Sequence, residues 1–249
     1  MDIAFPRIEP TIEPASFTRG SGRSLPVAGI ELGGVPRGAV IVLCDAGALE
    51  RDAAGIMNGL AERGYESLAV DLSSVPGIGD RDLLGDVSVL LSRFGERGWS
   101  PEQVGLVGYG FGGRTALLAA AEFELGASVS VAPSGMADTP TDALPPLSRA
   151  ARPVRTPWLG LFGRQDPGAP PEAVDRLCEH LRDSPAYTRV ITYPGVARDF
   201  HRAAREALAH AATFDVWQRT VEWLELRVVP RPTPLAEEWQ KRAASAVCA

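Results

Sequence analysis

Between a short apolar run and a helix-like stretch, the chain reads Gly108-Tyr109-Gly110-Phe111-Gly112-Gly113, and glycine at this spacing admits three readings. A nucleophile elbow, G-x-S-x-G, uses its glycines to permit a strained strand-to-helix turn that lifts the middle residue into a pocket. Here that middle residue is Gly110. A dinucleotide fingerprint, G-x-G-x-x-G, is matched formally by Gly108, Gly110 and Gly113. It also needs an acid near the end of the next strand to hold a ribose hydroxyl, and that end reads Val131-Ala132-Pro133-Ser134. The third reading is a tight turn with no ligand.

Other side chains able to do chemistry are few. Cys44 and Asp45 follow directly on an apolar run, which places both near the mouth of the same pocket as the glycine motif. A thiol there is a candidate nucleophile, although no base partner for it is evident and isolated cysteines usually behave as small hydrophobes. A carboxylate there is a candidate general base if burial raises its pKa; otherwise it caps a turn or helix. Of the three histidines, His180 and His210 fall on helix-like stretches and read as surface residues. Tyr109 and Phe111 flank Gly110 and either line the pocket or pack in the core. No set of His, Asp, Glu and Cys has metal-ligand spacing, and no cofactor is expected.

The elements that must position these residues alternate along the chain. Residues 39–43, 67–70, 104–107, 127–131, 158–162 and 188–192 read as strands, the first an unbroken apolar run of the kind buried on both faces. Between and after them lie helix-like stretches over 51–63, 83–97, 114–123, 171–181 and about 202–226. This alternation predicts a mostly parallel, doubly wound α/β sheet with helices on both faces and ligand sites at the carboxyl ends of the strands. Residues 133–157 carry six prolines and read as a loop over the site. One domain is expected over 1–228, followed by a Pro-rich extension over 229–249 with a short helix through Trp239. Trp158, Trp217 and Trp223 follow core-like patterns.

From about residue 25 to residue 227 the chain resembles the dienelactone hydrolase family of α/β-hydrolases. The resemblance rests on residues 36–43, on Asp45 with Gly47, and on Ala61-Glu62-Arg63-Gly64-Tyr65 with Ala69-Val70-Asp71-Leu72. It continues through the elbow glycines, the turn Gly163-Arg164-Gln165-Asp166, and Tyr193-Pro194-Gly195-Val196 before Phe200. The resemblance implies an α/β-hydrolase fold and a site built from a cysteine or serine at the elbow, an aspartate in the later turn, and a histidine before a Gly-Phe pair. Carried over, only Asp166 survives. Gly110 stands at the nucleophile position and Arg198 at the histidine position, and arginine cannot serve as a general base.

Ordinary acyl-enzyme hydrolysis is therefore not expected, because loss of a triad nucleophile costs many orders of magnitude in rate. The resemblance implies that the backbone amides of Ala46 and Phe111 remain at the oxyanion position. Arg198 either pairs with Asp166 in a fixed salt bridge or points into the pocket, where it would hold a carboxylate or enolate oxygen. His201 is either a displaced base or the cap of the following helix. The leading expectation is a dienelactone-hydrolase-like protein that binds a small, anionic or carbonyl-containing molecule, either without reaction or with a non-hydrolytic step such as cyclisation or isomerisation. The alternatives are a rearranged ester or lactone hydrolase using Cys44 or water activated by Asp45, and a protein-interaction module.

Composition narrows the partners. The formal net charge of −6 and the absence of a basic run argue against a nucleic-acid surface. No apolar run reaches the roughly 18–20 residues of a membrane-spanning helix, and the N-terminus does not read as a secretory signal. Three widely spaced cysteines suggest neither a disulfide framework nor a zinc knuckle. A cytoplasmic protein is expected, and the sequence is compatible with a homo-oligomer.

Overall fold

A computed structural model describes residues 7–16, 24–45, 47–72, 78–136, 144–201 and 207–247. Its centre is a set of parallel strands: β3 (Gly38–Cys44), β4 (Tyr65–Asp71), β5 (Val104–Tyr109), β6 (Ala127–Val131), β7 (Trp158–Gly163) and β8 (Thr188–Tyr193). Every residue of β3, β5, β6 and β7 is buried, which explains why their sequences are unbroken apolar or small-residue runs. β8 lies at the edge of the sheet and is only partly covered.

The expected alternation is found, with one correction at the start of the chain. The Pro- and Gly-rich opening forms two further strands, β1 (Thr11–Ser16) and β2 (Ser24–Ile30), which pair antiparallel with each other. β2 also pairs antiparallel with β4, giving the eight-stranded order β1-β2-β4-β3-β5-β6-β7-β8. Proline is tolerated here because an edge strand leaves some of its N–H groups outside the ladder.

Helices cover both faces. α2 (Ala53–Ala61), which follows the single turn α1 (Ala48–Arg51), and α7 (Ala207–Arg227) pack on the face formed by Val40, Val42 and Cys44 of β3. α3 (Asp80–Glu96) and α4 (Phe111–Glu122) cover the opposite face, against Ala39, Ile41 and Leu43. This is the period-two alternation of a strand expressed in packing. α6 (Pro171–Leu181) closes a third cluster with Trp158 and Phe162. Trp158 and Trp223 are buried as expected, whereas Trp217 is only half-buried.

Two expectations need adjustment. The stretch 133–157 is not loop throughout: its described part contains the turn α5 (Leu147–Ala150), while 137–143 lie outside the described residues. The terminal helix, α8 (Pro234–Val247), is 14 residues long and runs well beyond Trp239. Before it, the extension lies along the amino ends of the strands. Val229 N donates to Glu102 O at 2.9 Å, Arg231 N donates to Arg37 O at 3.0 Å, and the Arg231 guanidinium sits 3.7 Å from the centre of the Trp99 ring.

Candidate functional site

The glycines of the central motif have separate jobs. A Cβ on Gly108 would stand 2.1 Å from Gly112 O, and one on Gly112 would stand 2.0 Å from Leu43 O. Both positions must be bare for α4 to begin directly over β5 and β3. Gly110 adopts φ 55 and ψ −113, a sharp strand-to-helix turn outside the regions open to most L-residues. Its N–H donates to Val131 O at 2.9 Å, and its carbonyl accepts from Ser134 N at 2.9 Å and from Arg114 N at 3.2 Å. The turn is thus fixed by its own backbone hydrogen bonds.

Asp45 stands against this turn. A Cβ on Gly110 would lie 2.5 Å from Asp45 Oδ2 and 2.7 Å from its Cγ, so the carboxylate occupies the space an elbow side chain would take. The loop that carries it is fixed on both sides: Ala48 N donates to Asp45 O at 2.9 Å, and Gly47 N donates to Asp71 Oδ2 at 2.6 Å.

The elbow is braced from below by Arg114. Its guanidinium is 2% exposed and donates from Nε to Asp80 Oδ1 at 2.9 Å and from Nη2 to Asp80 Oδ2 at 2.7 Å. Nη2 also donates to Pro145 O at 2.7 Å. One side chain in the first turn of α4 thus ties the start of α3 to the segment after β6. Bidentate charge-assisted bonds of this kind hold geometry as well as charge.

Cys44, Asp45 and Tyr109 line one wall of a cavity of about 720 Å³ between α2 and α7. Ile56, Val216 and Trp217 form much of the rest, and Arg51, Asp52 and Glu62 also line it. The Trp217 ring is pressed onto α2 where the helix is bare: a Cβ on Gly59 would stand 2.6 Å from Trp217 Cζ2. Burial, together with the carboxylates of Asp71, Asp52 and Asp45, pushes the Cys44 thiol up to about 12. A thiol raised in this way carries little thiolate, the form that attacks. Burial likewise raises Tyr109, so its phenol keeps its proton.

The remaining sequence candidates divide. Asp166 is buried, and its Oδ1 accepts from Gly168 N at 2.7 Å, closing its own turn. Among the described residues no ion pair joins it to Arg198, so the expected salt bridge is not formed. Instead Arg198 Nη2 donates to Ser134 Oγ, and Ser134 is itself bonded through its N–H to the Gly110 carbonyl. The Arg198 guanidinium thus reaches Ser134 beside the elbow, while its Nη1 lies over Gly168 in the Asp166 turn. Its short turn, Arg198–His201, is held by packing of Phe200 on Tyr193, whose hydroxyl donates to Asp215 of α7 at 2.7 Å. The side chain of His201 and all of Ala46 lie outside the described residues. Phe111 is the first residue of α4, with a backbone N–H that has no acceptor inside the helix. Asp166, Phe111 and Arg198 are not among the residues lining the cavity. His180 and His210 are exposed. Among the described residues no group of three or more His, Cys, Asp or Glu could hold a metal, and no helix is long and apolar enough to cross a membrane.

Three contributors were not recognised as such by sequence reasoning: Arg114, Ser134 and Trp217, the last of which read as core. An arginine in the otherwise uncharged stretch 108–121 was a visible signal for the first. The other two depend on contacts between distant elements.

Comparison with known proteins places the chain among hydrolases and their relatives. A protein of Salmonella typhimurium named "Putative carboxymethylenebutenolidase" is 29% identical over 150 residues, which is 60% of this chain and 56% of that protein. The matched stretch thus spans little more than half the length of this relative. A Yersinia pestis protein of the same name is 26% identical over 226 residues, covering 82% of this chain and 84% of its own. Among solved structures, a Klebsiella pneumoniae protein named "Putative Dienelactone Hydrolase" superposes with a TM-score of 0.72 at 21% identity, covering 88% of this chain and 99% of the other. An esterase of Thermogutta terrifontis with propionate bound superposes with a TM-score of 0.69 at 16% identity, covering 89% and 96%. These likenesses show the α/β-hydrolase fold. The family model named "Dienelactone hydrolase family" matches residues 80–227, more than half of the chain, and the chain belongs to that family.

Proposed function

We propose that this protein binds a small carbonyl-containing molecule at the carboxyl ends of β3 and β5, and that Asp45 moves a proton on it without an acyl-enzyme. The observation that carries this reading is the position of the Asp45 carboxylate, 2.5 Å from where an elbow side chain would begin at Gly110. A carboxylate there reaches the point at which the fold presents a reacting group, but as a proton acceptor. Arg198, with Ser134 beside the elbow, is suited to hold a developing enolate oxygen through charge-assisted hydrogen bonds. Base and oxyanion donor together describe proton abstraction beside a carbonyl, the elementary step of isomerisations and cyclisations. The raised thiol of Cys44 argues against covalent catalysis from that residue.

The experiment is deuterium exchange of the α-protons of 1-indanone, a flat aromatic ketone, in heavy water, followed by proton NMR, alongside turnover of nitrophenyl acetate. The expected result is accelerated exchange that falls by about 10²–10⁴ in Asp45→Asn, the usual range for a positioned acid–base group. No ester turnover above a heated blank is expected. Ester turnover lost in Asp45→Asn would replace this reading with water activation by the same carboxylate, and exchange unaffected by the substitution would end it.

A further inference from the structure

The residues that line the cavity also restrict what kind of molecule can enter. Asp45 lines the cavity beside Cys44 and Tyr109, and charges of both signs follow along α2, from Arg51 and Asp52 before its start to Glu62 after its end. Among these polar groups two aromatic side chains, Tyr109 of β5 and Trp217 of α7, line the space together with Ile56 and Val216. Both are held. Tyr109 is 9% exposed within the sheet, and the six-membered ring of Trp217 is seated on the bare backbone of Gly59 at a distance no side chain there would allow. Glycine inside a helix weakens it relative to alanine. At Gly59 that cost gives the indole a fixed seat.

From this arrangement we infer that the cavity takes a flat aromatic ring system, read by Tyr109 and Trp217, with the reacting carbon or oxygen delivered to Asp45. The inference rests on the proposed site at Asp45 and names its substrate class. A cavity of about 720 Å³ falls in the range that encloses a molecule of two or three rings. Aromatic faces favour flat partners over puckered ones of the same outline, because stacked and edge-on ring contacts add to simple burial. Tyr109 and Trp217 are the residues that set specificity here, whereas Asp45 acts on whatever they position.

The test compares 2-naphthol with decahydro-2-naphthol, which share a skeleton and a hydroxyl and differ in flatness, by equilibrium dialysis against the parent protein, Trp217→Leu and Asp45→Asn. The parent is expected to bind 2-naphthol about tenfold more tightly than the saturated alcohol, the order of effect of two ring contacts. Trp217→Leu keeps apolar bulk and is expected to lose that preference. Asp45→Asn changes one polar group of the wall and neither ring, so it is expected to shift both affinities together while the preference between them persists. Equal affinities in the parent, absence of binding by either alcohol, or a preference that survives Trp217→Leu in a protein that melts cooperatively would each overturn the inference. Binding preference without deuterium exchange would leave the ring site standing and retire only the proton-transfer reading.

Discussion

Asp45 and Gly110 supply the two halves of one position, the glycine giving the backbone turn and the aspartate, from a neighbouring strand end, giving the side chain. The two cannot both carry bulk there, since a Cβ at residue 110 would come within 2.5 Å of the Asp45 carboxylate. Gly110→Ala is expected to destabilise the fold by about 1–3 kcal/mol, because the turn at φ 55 is strained for any L-residue and Asp45 must move as well. Thermal melting measures the loss. Gly110→Cys is expected to give no nitrophenyl acetate turnover, since Arg198, bonded to Ser134 beside the turn, cannot accept a proton and the Asp45 carboxylate would be displaced by the new side chain. Turnover would mean that a residue serves as base after all, Asp45 or His201.

The two described cysteines should differ sharply in reactivity. Cys44 is buried with its thiol near pKa 12, and at pH 8 only about one in 10⁴ would be ionised. Cys178 is exposed, although partial burial and Asp175 raise its thiol as well. Iodoacetamide at pH 8 followed by peptide mass analysis should therefore label Cys178 first. Labelling of Cys44 in the folded protein should be slower than that of an ordinary free thiol by about a thousandfold or more. Comparable rates at the two positions would contradict the burial of Cys44.

The same thiol makes stability depend on alkaline pH. Its pKa rises from 9.0 unfolded to about 12 folded, so the folded state binds the proton more tightly. The resulting stabilisation is complete below pH 9 and is lost as pH rises towards 12, amounting to at most about 4 kcal/mol. Urea unfolding between pH 8 and 11 should show a falling free energy, with a shallower fall in Cys44→Ala. Tyr109 and Tyr193, both raised chiefly by burial, keep part of the slope in that variant. Parallel slopes in the two proteins would remove Cys44 from the account.

Breaking the Arg114 and Asp80 pair should be costly in a particular way. Asp80→Ala leaves the Arg114 guanidinium, 2% exposed, without its carboxylate, and loss of about 3–5 kcal/mol is expected from urea unfolding. The double variant Arg114→Met with Asp80→Ala should recover part of that loss, since no charge is then stranded. Additive losses would show that the two side chains act independently.

How much of this was visible in the sequence follows from the range of each interaction. The parallel strands were legible because burial on both faces leaves only apolar or small residues, as in Ala39-Val40-Ile41-Val42-Leu43. β1 and β2 were not, since Pro14, Pro26 and Gly29 interrupt their pattern and their pairing comes from each other and, for β2, from β4. The glycine motif of the turn was legible. The approach of the Asp45 carboxylate to it was not, because Asp45 and Gly110 lie on separate strand ends whose closeness depends on bare glycines at 108 and 112. Trp217 read as core because helical spacing cannot distinguish a ring packed against other side chains from one seated on a neighbouring glycine beside a cavity. The partner of Arg198 was misjudged for a similar reason: charge favoured Asp166, but that carboxylate is engaged by Gly168 N and the guanidinium turns to Ser134.

The extension after Val228 gives the molecule two poles. It fastens to Glu102, Arg37 and Trp99 at the amino ends of the strands, whereas Asp45 and Tyr109 lie at the carboxyl ends. A tether, dye or solid support attached through α8 would orient every molecule the same way, with the binding side turned to solution. Trp99 beneath Arg231 would then act as an optical marker of whether the anchor has let go, at a distance from any ligand.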